Sequence, residues 1–142
     1  MMRLLFSRTG LATVILAAPL FASVARADDC ANAMDQATMD ECAGKDFDAA
    51  DKKLNDAYKQ IEGRLKDNAG SKKLLVDAQR AWVVFRDAEC AFQGGPQANA
   101  GSVRPMVVAN CQAGLTNLRL KDLQDYLHCE EGVLDCPVPA AQ

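Results

Sequence analysis

Six cysteines, at positions 30, 42, 90, 111, 129 and 136, constrain this chain more than any other feature, and all of them follow an N-terminal leader. Residues 1–27 read MMRLLFSRTGLATVILAAPLFASVARA. Arg3 and Arg8 precede an apolar run from Leu11 to Val24, which ends in Ala25-Arg26-Ala27. A positive start, a short apolar middle and an A-x-A end predict a secretory signal peptide cut after Ala27. The run is broken by Pro19 and is shorter than the roughly 20 apolar residues of a membrane span. Asp28 and Asp29 separate the cut from Cys30, so the cysteine is not placed for lipid attachment. The expectation is a soluble, exported protein, periplasmic or secreted. In an oxidising compartment an even set of cysteines reads as three disulfides. Spacing alone leaves the pairing open.

The segment from Asp28 to Gln142 has 115 residues, enough for one domain with a modest core. Of the 16 basic residues, three lie in the leader, which leaves 13 against 19 acidic ones and a net charge of −6. Phosphate binding needs a basic face, so nucleic acid is an unsuitable partner. An acidic surface instead steers basic partners toward it.

Three long segments carry helical period, and none alternates with period two. The first runs from about Thr38 to Asp67, with Thr38 and Glu41 as a capping box. Its stripe is Met39, Cys42, Phe47, Ala50, Leu54, Tyr58, Ile61 and Leu65. Asn68-Ala-Gly70 breaks the chain. The second runs from about Ser71 to Phe92, with a stripe of Leu75, Ala78, Trp82, Phe85 and Phe92 supported by Leu74 and Ala81. After the glycine-rich stretch Gly94–Gly101, the third opens at Ser102 as N-cap, with Pro105 in its first turn. Its stripe is Met106, Ala109, Ala113, Leu118, Leu123 and Leu127, with Tyr126 beside it. Short connections make chain neighbours antiparallel. At 1.5 Å per residue the first helix is about 40 Å long. The predicted fold is all-α: an elongated antiparallel three-helix arrangement stapled by disulfides.

Chemistry finds little purchase. His128 is the one histidine, and the cysteines stand 12, 48, 21, 18 and 7 residues apart. No C-x-x-C pair offers a zinc site or a thiol redox motif. There is no G-x-S-x-G elbow and no phosphate-cradling glycine loop. The expectation is a protein with no cofactor and no metal that is not an enzyme. The densest stretch, AQRAWVVFRDAEC at 78–90, reads as a helix. Ala78, Trp82 and Phe85 form a core-facing ridge, with Arg86 beside it. A half-buried arginine needs polar partners. Asp51 and Asn55 of the first helix, Gln79 of the second, and Thr116 and Arg119 of the third are spaced to give a polar layer that fixes helix register.

The residues also resemble a known family. The pattern C-A-x-x-x-F-x-x-A-D-x-x-L-N-x-x-Y runs from Cys42 to Tyr58, and L-L-x-x-A-Q-R-A-W-x-x-F-R-D-x-x-C from Leu74 to Cys90. G-S-x-x-P-M follows at Gly101–Met106, then Cys111, then L-T-x-x-R-x-x-x-L at Leu115–Leu123. Together they resemble the LprI-type lysozyme inhibitor domain over about residues 30–127. The resemblance implies an exported helical domain and, with it, inhibition of a C-type lysozyme as basic protein partner. It brings no catalytic residues. It implies the pairs Cys30–Cys42, Cys90–Cys111 and Cys129–Cys136. The last closes a small loop, CEEGVLDC, whose Glu130, Glu131 and Asp135 are candidates for meeting arginines around a lysozyme cleft; the Gly94–Gly101 loop is the other projecting candidate. The alternative expectation is an interaction module of the cell envelope that does not inhibit lysozyme.

Overall fold

The structure, a computed structural model, describes residues 30–140 apart from Ala100 and Glu131. The predicted leader at 1–27 lies outside the described residues, as does Glu131. The described residues form three helices, α1 (Gln36–Arg64), α2 (Ala69–Gly94) and α3 (Arg104–Leu127), with a 3₁₀ turn at Gln97–Asn99 between the last two. Among the described residues there is no strand, and no helix is long and apolar enough to cross a membrane.

Each helix starts elsewhere than its sequence suggests. Asp35, not Thr38, caps α1: its carboxylate accepts the Thr38 N–H at 2.9 Å and the Thr38 hydroxyl at 2.7 Å. An ionised acceptor outcompetes a hydroxyl at the positive end of a helix. The two hydrogen bonds from Thr38 hold the Asp35 carboxyl below its ordinary range. Asn68 opens α2 rather than ending a break, accepting the Ser71 N–H at 3.0 Å. Ser102 does not cap α3. Val103 takes the cap position with no side-chain bond, and the Met106 N–H is instead satisfied at 3.1 Å by Asp40 of α1.

That bond fixes topology. Asp40 meets Met106 near one end, and the Arg64 guanidinium donates to the Leu127 carbonyl at 2.7 Å near the other. Helices α1 and α3 therefore run parallel and pack closely, with α2 antiparallel to both. The core occupies one end. Leu54, Ala57, Ile61 and Leu65 of α1 meet Leu75 of α2 and Leu120 and Leu123 of α3. Each large aliphatic fully buried there contributes roughly 1.5–3 kcal/mol. Val138, from the tail, is 4% exposed and completes this cluster. The sequence gives no period for it, because it returns from beyond the last helix. At the other end the buried residues are small, Ala43, Ala50 and Ala113, and disulfides take over. Cys30–Cys42 and Cys90–Cys111 hold the arm and the α2–α3 corner, and Cys129–Cys136 closes the tail loop. At that corner a Cβ on Gly94 would meet the Val108 side chain at 2.5 Å, so the glycine permits the close approach of α2 to α3.

Two stripes need correction. On α2, Leu75 is buried and Trp82 half-buried, but Leu74, Ala78, Ala81, Phe85 and Phe92 face solvent. The buried face of α2 runs instead through Leu75, Arg86 and Cys90. On α3, Leu118 is exposed, and Ala113, Thr116, Leu120 and Leu123 face inward. Both helices carry apolar residues on more than one face, and periodicity cannot say which face α1 covers.

Candidate partner-binding site

The polar residues predicted to form one layer form two groups. Arg86 centres the first. Its side chain is 9% exposed, with Nη1 3.2 Å from Asp51 and Nε 2.9 Å from Asp87. The guanidinium carbon lies 5.0 Å from the Phe47 ring centre and 5.2 Å from that of Trp82. Two aromatic faces thus cover the cation while two carboxylates hold its edge. Asn55 donates to the second oxygen of Asp51 at 2.7 Å, and Gln112 of α3 donates to Asp87 at 3.2 Å. This group links all three helices. Arg119 centres the second: Nε donates to Gln79 at 3.2 Å, and Nη1 lies 3.8 Å from Asp122. Thr116 joins neither. It is fully buried, and its hydroxyl has no hydrogen-bond partner among the described residues.

Each group borders an open surface cleft rather than an enclosed cavity. Between α1 and α2 lies a shallow cleft lined by Asp51, Tyr58, Glu62, Arg80 and Arg86. Burial raises the Tyr58 phenol above its ordinary 10.0, Glu62 adds to the rise, and Arg80 opposes it. The acids of this cleft are engaged: Asp51 by Arg86 and Asn55, and Glu62 by Lys72 at 3.5 Å.

The tail loop is built differently. Cys129 and Cys136 close it directly after α3, and Gly132 takes a φ of 91° at its turn, a left-handed conformation suited to glycine. Glu130 and Asp135 are exposed on it. Between them the structure places residues that sequence reasoning passed over: Val133 at 48% and Leu134 at 104% exposure. The loop therefore presents an apolar tip between acidic shoulders on a closed ring. The Gly94–Gly101 loop is tied down by Arg104, whose Nε donates to the Gly95 carbonyl at 3.2 Å.

Comparison with known proteins follows the same outline. The sequence model for lysozyme inhibitor LprI matches residues 27–123. The match includes the Arg86 group and the Gly94–Gly101 loop and stops short of the tail loop. An uncharacterized protein of Rhizobium meliloti (strain 1021) is 33% identical over 114 residues, covering 72% of this chain and 81% of its own length. No solved structure matches the chain.

Proposed function

The chain belongs to the LprI lysozyme-inhibitor family, and from that premise we propose that it is an exported inhibitor-like protein that binds a basic protein, a C-type lysozyme first among them, and turns over no substrate. The family match carries this reading. The acidic balance supports it, since a net charge of −6 after the leader steers a cationic protein toward contact. The leader at 1–27 supplies the export signal, and three bridges suit an oxidising compartment. The tail loop is the proposed contact. Its ring lowers the ordering cost of binding. Glu130, Glu131 and Asp135 meet basic residues at the rim of the cleft, where they stay clear of the catalytic carboxylates, and Leu134 supplies apolar contact.

The test is lysis of a peptidoglycan substrate by a C-type lysozyme in the presence of the purified protein. Lysis slows in a dose-dependent way, and Glu130→Lys with Asp135→Lys weakens the effect. Full lysis at a large molar excess of the unaltered protein defeats the reading. Inhibition that the double variant leaves intact removes the tail loop from the contact surface and keeps the family activity.

A further inference from the structure

Helix α2 carries a second apolar face that none of the described residues covers. Leu74, Ala78, Ala81, Phe85, Ala88 and Phe92 are all exposed. They follow one another at alternating gaps of four and three residues, the a/d spacing of a coiled-coil seam. The outward face of a solvated helix is ordinarily polar, yet Leu74 is 71% and Phe92 81% exposed here. Val84, at 70%, widens the stripe.

We propose that this face joins two copies of the chain in an antiparallel dimer. A two-fold axis crossing the seam near Val83 sets Ala81 against Phe85 of the second copy and Ala78 against Ala88. Large then meets small at the centre, and the same patch serves both partners, as an isologous interface requires. The ends match as well. A groove of about 280 Å³, lined by Leu74, Leu75, Ala78, Tyr126 and Val138 among others, opens at one end of the seam. Phe92 stands about five turns from Leu74 on the same side of the helix. The axis that pairs the centres brings each Phe92 to the other copy's groove.

The occupant is a second copy because the seam complements itself. Its border carries both signs, with Lys73 paired to Asp77, so two like edges do not simply repel. The exposed apolar residues offer roughly 600 Å² per copy, or about 1,200 Å² in all, the lower edge of the standard range for a specific interface. Such an area fits a weak, reversible dimer rather than an obligate one.

Sedimentation equilibrium of the purified protein, from about 1 to 500 µM, reads this directly. The unaltered chain passes from monomer to dimer across that range. Phe85→Asp and Phe92→Asp each raise the dissociation constant at least about tenfold, while circular dichroism keeps its helical signal because both side chains are exposed. Val133→Asp, on the tail loop, leaves the constant unchanged. A chain monomeric throughout overturns the proposal, as does a dimer that neither substitution weakens. Loss of lysozyme binding in the Phe85→Asp variant of a monomeric chain assigns the face to that partner instead.

Discussion

Arg86 shows how one side chain organises three helices. Its charge is covered by Phe47 and Trp82 and held by Asp51 and Asp87. Both carboxylates keep access to water, at 37% and 49% exposure, so each pair is partly screened and the aromatic packing carries much of the effect. Arg86→Ala is expected to cost about 2–3 kcal/mol, below the range for breaking a fully buried pair. Urea unfolding followed by Trp82 fluorescence measures it. Arg86→Lys recovers little, because an ammonium cannot lie flat between two rings and bond two acids. The partnership with Asp51 was legible in the sequence, since helical spacing puts both on inner faces. The sandwiching by Phe47 was not, because it depends on how closely α1 and α2 approach. Tyr58 gives the pH prediction. In the unfolded chain its phenol ionises near 10.0, and in the fold burial and Glu62 raise that value. The folded state keeps a proton that the unfolded state has lost. This contribution to stability is complete below pH of about 10 and declines as pH climbs through the raised folded value. With Tyr126→Phe, Tyr58 is the one remaining tyrosine, and its phenolate absorbance is expected to develop above pH 10.0 in the folded protein.

At the level of the helix, existence was legible and ends were not. Long apolar periods separated by Asn68–Gly70 and Gly94–Gly101 leave no other regular structure open to the chain. The caps depend on competition. Asp35 displaces Thr38, and a carboxylate from another helix replaces Ser102. No local pattern reveals a cap supplied across 66 residues. The consequence is measurable. Asp40→Ala removes the acceptor for the Met106 N–H and also the bond from Gln36, and is expected to cost about 1 kcal/mol, the usual value of a helix cap. Ser102→Ala, at the position the sequence favours, is expected to change stability by less than about 0.5 kcal/mol. Equal losses from the two would mean that α3 is capped locally after all. The same competition explains α2. It carries two interleaved apolar stripes, Leu75 with Trp82 and Leu74 through Phe92. Hydrophobic period identifies both as buried faces, and only the position of α1 and α3 decides which one the chain itself buries.

Across the whole molecule, stabilisation changes character from end to end. Where Leu54, Ile61 and Leu123 meet, aliphatic burial dominates; where Ala43, Ala50 and Ala113 bring the helices together, covalent bridges and the Arg86 group do. The tail loop belongs to the first end, although it is made of a disulfide. Cys136 lies two residues before Val138, its Sγ contacts the Val138 carbonyl at 3.7 Å, and Arg64 reaches the Pro139 carbonyl at 3.4 Å. The bridge thus returns the chain from the end of α3 to the core and holds Val138 there. Two effects follow from removing it. The chain-entropy term for so short a loop is about 2.5 kcal/mol, and the tail loses its guide to the core. Val138→Ala alone is expected to cost about 1–2 kcal/mol by leaving a void among Leu65, Leu75 and Leu123. Because both changes release one segment, their combination is expected to fall short of the sum by at least about 0.5 kcal/mol. Denaturant unfolding of the Cys129→Ser/Cys136→Ser chain, the Val138→Ala chain and the combined variant closes the cycle. Strict additivity would separate the loop from the core. A shortfall makes the ring that carries Glu130, Leu134 and Asp135 part of the same packed unit as the helices, and so a rigid platform for whatever protein it meets.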